Sequence, residues 1–166
     1  CQVILHAGTR EPGSSFLPRW ASGLYDGRIH IWSDEVPHER ARRLAVFRHE
    51  YSHVVVSAVT HHAAPTWLQE GVALFAERAA DTGAGLGRRA AVHEEVGLVW
   101  GLPSDWFALS EQDARWAYRV SDHAVSTFIR HWGVGGLRDL LDRLGVTGEI
   151  SRACRMVTND ERCGLG

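Results

Sequence analysis

The chain has 166 residues, 45% of them hydrophobic, and a formal net charge of -2. That length and composition suit one ordinary globular domain with enough apolar material for a real core. The near-neutral charge removes any electrostatic argument for nucleic acid or an anionic membrane as partner, and no apolar run approaches the ~20 residues that span a bilayer.

The chain opens on Cys1-Gln2-Val3-Ile4-Leu5-His6, with no initiator methionine and no visible signal peptide, and so reads as a piece excised from a longer protein. Gln2 to His6 form a first strand and Gly8 to Ser15 a loop. Arg19 to Tyr25 and Arg28 to Trp32 flank Asp26-Gly27, a dipeptide that supplies the positive-φ turn of a β-hairpin. Ile29 and Ile31 alternate with His30 and Trp32, the pattern of a half-exposed strand. That strand is expected either to line a cleft and pair with an extended substrate, or to be a plain structural edge.

Pro37 precedes a long helix from about His38 to Thr60, and within it His49-Glu50-Tyr51-Ser52-His53 matches H-E-x-x-H. Residues four apart share one helix face, so the imidazoles of His49 and His53 converge on a single zinc ion. Glu50, next to the first ligand, is directed beside the metal, where it can take a proton from water. His61-His62-Ala63-Ala64-Pro65 breaks this helix, and His61 and His62 are expected to be exposed at its end. A second helix runs from about Thr66 to Ala80, and Glu70 in its first turns offers a third ligand. Two histidines, one glutamate and an open fourth position make a catalytic rather than a structural zinc site. Glu77 shares a helix face with Glu70 and stands as a rival ligand or as a partner behind a ligand. Trp67, beside Glu70, is expected to pack between helices.

Asp81 to Gly87 is a Gly-rich surface loop that neither follows a strand nor holds the lysine of a phosphate cradle. A helix from about Arg88 to Val99 and an irregular aromatic stretch from Trp100 to Leu109 come next. Asp113 to Trp132 is helical and closed by Gly133, and further helices cover about Gly135 to Leu144 and Glu149 to Met156. A small sheet followed by helices is an α+β order. It predicts a single domain over residues 1–166, with a sheet part at about 1–35 and a helical part at about 38–158. The sheet is expected to be mostly antiparallel and packed on the motif helix.

Three cysteines leave alternatives open. Cys154 and Cys163 are spaced to pair across a short C-terminal loop with Cys1 odd, or to stay as free thiols in the tail. A pair would place the chain in an oxidising compartment, periplasmic or secreted. No C-x-x-C pair offers a cysteine metal site, and Cys1 leads straight into a strand rather than the flexible tether of a lipidated residue.

With these motifs placed, the chain resembles a gluzincin, the zinc-peptidase group with H-E-x-x-H and a downstream Glu. More narrowly it resembles the peptidase MA-like domain of bacterial proteins, often attached to tetratricopeptide repeats. The resemblance runs from Trp20-Ala21-Ser22-Gly23-Leu24-Tyr25-Asp26-Gly27-Arg28-Ile29 through His49 to His53 and Trp67-Leu68-Gln69-Glu70-Gly71-Val72-Ala73. It ends with Tyr118 to Trp132 and the leucine-rich helix beyond. It implies a zincin-like fold, Zn2+ held by His49, His53 and Glu70, Glu50 as general base, and a peptide or protein as substrate. Tyr118 opens the segment that in gluzincins brings a tyrosine to the metal, and it is the favoured oxyanion donor over Tyr25 and His123.

Two departures are plain. Sixteen residues separate His53 from Glu70, fewer than in the aminopeptidase and thermolysin-like branches, and Leu74 stands where some relatives keep a carboxylate behind the ligand. A metzincin pattern fails, because Val56 and Val59 occupy the positions of its glycine and third histidine. Two other classes are set beside a peptidase: a catalytically inactive zinc-binding module that holds a peptide or partner protein, and a structural domain with an accidental motif.

Overall fold

The computed structural model describes residues 2–6, 23–32, 40–82, 99, 101–106 and 108–159. Three short strands come first: β1 (Val3–His6), β2 (Gly23–Tyr25) and β3 (Ile29–Trp32). Four helices follow, α1 (Arg40–Thr60), α2 (Thr66–Thr82), α3 (Glu111–Thr147) and α4 (Ile150–Thr158), in the α+β order expected.

The β2–β3 hairpin forms as the Asp26-Gly27 signal requires. Gly27 adopts φ 103°, a region open to glycine at no steric cost, and the Arg28 amide donates to Asp26 Oδ1 at 3.2 Å. The sheet is mixed, however, rather than mostly antiparallel. Its order is β1-β3-β2, with β1 parallel to β3 (Val3 opposite Ile29, His6 opposite Trp32) and β2 antiparallel to it. The reason is topological. The hairpin gives one edge of β3 to β2, and the stretch between β1 and β3 exceeds the dozen residues a parallel crossover needs. Alternation of side chains tells which face a strand buries, not which way its neighbour runs.

On one sheet face Ile29 and Ile31 are buried against Tyr25 and against Val46, Phe47 and Val54 of α1. On the other, the rings of His6, His30 and Trp32 stack, with His6 Nε2 2.9 Å from His30 Nδ1. Helix α1 therefore lies between sheet and helices. The hydroxyls that this burial strands are satisfied within the helix: Ser52 donates to the Arg48 carbonyl and Thr60 to that of Val56.

Helix α1 stops at Thr60. His61 and His62 take left-handed conformations (φ 51° and 65°), the His62 amide donates back to the Ser57 carbonyl, and both side chains are exposed as expected. The Pro65 carbonyl then accepts the Leu68 and Gln69 amides and starts α2. That helix extends through Asp81 and Thr82, two residues assigned to the loop from sequence; 83–87 lie outside the described residues. So does the helix expected over Arg88 to Val99, except Val99, which is buried against Val120 and Ala124 of α3.

Ser110 caps α3, its hydroxyl accepting the Asp113 amide. At Gly133 (φ 71°, ψ 176°) this helix breaks into two arms, as the glycine predicted, and the second arm ends at Gly148 in the left-handed region. The main core joins α1 through α4 around Val56, Leu68, Val125, Ile129, Leu140, Leu141 and Leu144, while Trp67 packs against both this cluster and the one at Val99. Cys154 is disulfide-bonded, and Cys1 and Cys163 both lie outside the described residues. Among the described residues, no helix is long and apolar enough to cross a membrane.

Helix α2 sits tightly on α3 because Gly71 has no side chain. A Cβ there would lie 2.6 Å from the Ser121 carbonyl oxygen and 2.5 Å from Val125 Cγ2. We expect Gly71→Ala to push the two helices apart and to cost about 1–3 kcal/mol, the usual range for overpacking. Chemical denaturation measures this, and an unchanged midpoint would show that the helices separate freely.

Candidate metal centre

The site is built on the α1–α2 hairpin. His49 and His53 stand one turn apart on α1, with ring centroids 5.1 Å apart. Because the two helices run antiparallel, residues further along α2 meet earlier residues of α1. Glu70, in the first turns of α2, thus reaches the gap between the two histidines. Its carboxylate lies 3.2 Å from His49 Nε2 through Oε2 and 3.7 Å from His53 Nε2 through Oε1. One ligand atom from each of the three falls within 4.8 Å of the others, a group able to hold a metal ion.

Glu77 lies seven residues on, a further ~10 Å along the helix, and its Oε2 is 3.5 Å from His49 Nδ1. Of the two roles open to it from spacing, this geometry matches a carboxylate behind the ligand. It addresses the nitrogen that faces away from Glu70, and so leaves the lone pair of Nε2 for a metal. The carboxylate beside His49 thus comes from seven residues after Glu70, while Leu74 stands four residues after it.

One neighbour of the second histidine was not found from sequence. Gln69 donates its amide N–H to the Ala64 carbonyl at 2.9 Å and lines the cavity with His53, where its side chain favours the protonated imidazole. Adjacent residues on a helix point about 100° apart, so nothing in the Glu70 spacing announces Gln69; the crossing of the two helices does.

Glu50 is buried at 6% exposure beneath strand β2. A Cβ on Gly23 would collide with its carboxylate, so β2 covers Glu50 only because residue 23 is glycine. Burial, opposed by His49 and reinforced by Glu70 and Glu77, pushes the Glu50 carboxyl up to about 7. Burial also pulls the His53 imidazole below its ordinary range. Burial acts the same way on His49, but Glu70 and Glu77 outweigh it and hold that imidazole up to about 10.

Tyr118 reaches the site from α3. Together with Gly23, Leu24, Tyr25, Thr66 and Gln69 it lines a cavity of about 170 Å³ that contains His49, Glu50, His53 and Glu70. Its ring meets Trp106 edge-on at 5.0 Å, and burial, with Glu70 and Glu50 nearby, raises its hydroxyl above the usual tyrosine range. Tyr25 lines the same cavity. His123 does not; its ring lies 3.4 Å from the Thr127 hydroxyl on the same helix. Both alternatives for Arg28 to Trp32, a strand lining the cleft or a plain edge strand, are also corrected. β3 is the central strand, hydrogen-bonded on both sides, and the cavity is lined by β2, an edge of the described sheet.

The donor set suits a cation on one further observation. Glu70 Oε2 is buried and, despite its nearness to His49, has no aligned hydrogen-bond donor. Orphaned buried carboxylate oxygens are costly unless a charge answers them, and the two imidazole nitrogens near this carboxylate complete a group able to hold a metal ion. Comparison with protein-family models, with curated proteins and with solved structures gives no match for this chain.

Two predictions follow from this geometry. Glu70→Gln should abolish metal binding measured by titration calorimetry, whereas Glu77→Gln should weaken it by about 10–100-fold, the usual loss for an outer partner; the reverse order would make Glu77 the ligand. Separately, a metal must displace the proton that His49 carries below about pH 10. Apparent affinity should therefore rise with pH by about tenfold per unit for one displaced proton. Chelator competition across pH 6–9 reads this, and a flat profile would mean that His49 is already neutral without metal.

Proposed function

We propose that this domain is a zinc-dependent metallopeptidase of gluzincin type. The observation that carries the proposal is the convergence of His49, His53 and Glu70 in one cavity with Glu50, a buried carboxylate poised near neutrality. Zinc supplies such a site with a Lewis-acid charge that acidifies water and polarises a carbonyl.

The chain's own residues account for the remaining work. Glu50 takes the proton from the attacking water and returns it to the leaving amine, a shuttle suited to a group whose pKa lies near the working pH. Tyr118 donates its hydroxyl to the oxygen that gains charge as the carbonyl is attacked. Its raised pKa keeps it protonated, and so a donor, throughout the neutral range. Strand β2 offers backbone groups along the cavity wall to which an extended peptide can add as a further strand. The Cys154 disulfide supports an extracytoplasmic setting.

A zinc-binding module that only holds a peptide is the alternative class. Such a module has no use for a buried carboxylate beside the metal ligands, whereas hydrolysis requires one.

Glu50→Gln decides between them. The amide keeps the shape and loses the basicity, so zinc content and fold should persist while turnover of a peptide library falls by at least ~10²-fold. In the wild type, activity should drop as pH falls below about 7, because the base must be deprotonated to act. A wild type that binds peptides and cleaves none would establish the recognition module.

Tyr118→Phe should lower kcat by about 10²–10³-fold with little change in KM, since the hydroxyl contributes only as charge develops. A variant with normal kcat and a lowered melting temperature would return Tyr118 to a packing role.

A further inference from the structure

We propose that the flank of α3 beside the metal centre is a carboxylate-binding subsite, in which Arg119, with Arg115 next to it, receives a carboxylate of the bound peptide. The inference rests on the peptidase assignment and narrows its substrate class. Among the described residues, Glu111, Gln112, Arg115, Tyr118 and Arg119 line a second cavity of about 750 Å³. Their spacing places them along one flank of the first turns of α3, while Ala114, Ala117 and Ser121 of the same turns are buried in the core. Tyr118 lines both this cavity and the metal cavity, so the two adjoin the same residue. A peptide that leaves the metal cavity past Tyr118 enters a space walled by two arginines.

Charge identifies what belongs there. Arg119 has no ion-pair partner among the described residues, and Arg115 pairs only with Glu111, one turn back on the exposed helix surface. Surface pairs of this kind are weak and are readily exchanged for another carboxylate. A guanidinium presents a planar fork of donors that matches a carboxylate with two parallel hydrogen bonds. Arginines elsewhere on α3 and α4, such as Arg138 and Arg152, line neither cavity. The carboxylate can come from an Asp or Glu side chain or from the free C-terminus of the peptide; the recognising chemistry is the same.

The experiment uses the zinc-loaded Glu50→Gln protein and short fluorescent peptides, with Kd read by anisotropy. One series is amidated and carries a single Glu walked through every position of a neutral parent. A second peptide is the neutral parent with a free C-terminus, and the amidated neutral parent is the reference. We expect one Glu position, or the free C-terminus, to bind about tenfold or more tighter than the reference, which also tells the two sources apart. Arg119→Gln should remove that preference and leave zinc content and binding of the reference unchanged; Arg138→Gln should leave the preference intact. Equal binding of all peptides would overturn the subsite, as would a preference that survives Arg119→Gln combined with Arg115→Gln, because the carboxylate would then be held elsewhere. The two levels separate in the wild type. Cleavage without carboxylate preference removes the subsite and keeps the peptidase. Preference without cleavage keeps the subsite and removes the peptidase.

Discussion

The burial of ionisable groups between α1 and α2 is the constraint on which the rest depends. Glu70 and Glu77 of α2 face His49 and His53 of α1 across the seam of this hairpin, and Glu50 is buried next to His49 on the side covered by β2. Charges taken out of water persist only when paired or answered by a metal. Here the pairing is uneven. His49 is flanked by carboxylates on both ring nitrogens, Glu70 keeps one oxygen without an aligned donor, and Glu50 has its carboxyl raised toward neutrality. One physical cause, desolvation, acts on all of these groups: it raises the Glu50 carboxyl and opposes the charge on both imidazoles.

Two glycines let backbone close around that seam. Gly23 allows β2 to lie directly over Glu50, and Gly71 lets α3 approach α2 at backbone distance. The first excludes water from the carboxylate on the sheet side. The second sets the distance at which Tyr118 enters from the opposite side. The Arg78–Asp122 ion pair, joined by Ser126, adds a polar tie between the same two helices.

Tyr118 is held by a support of its own. Trp106 lies edge-on to its ring and is anchored in turn by an indole N–H donated to the Pro103 carbonyl. The neighbouring Ser104 carbonyl accepts from Thr66, which opens α2 and lines the metal cavity. The described part of the stretch before α3 therefore links the start of α2 to Tyr118.

Much of the site was legible because it is local. His49, Glu50 and His53 lie within one turn and a half of a single helix, and helical periodicity alone puts both imidazoles on one face. Glu70 was legible at one remove, since a short break followed by an antiparallel helix leaves few places where its first turns can point. The break at Gly133 and the turn at Gly27 were equally local, each written in a residue tolerant of positive φ. What only the tertiary structure decided involves partners distant in sequence or not periodic with the motif. The parallel pairing of β1 with β3 depends on where the intervening chain returns. The choice of β2 over β3 as cavity wall depends on which strand is left at the edge. The roles of Gln69 and Glu77 depend on the crossing of two helices, and the meeting of Tyr118 with Glu50 on α3 folding back across α2. Spacing within an element is fixed by helix and strand geometry; the approach of one element to another is set by packing, which no single segment encodes.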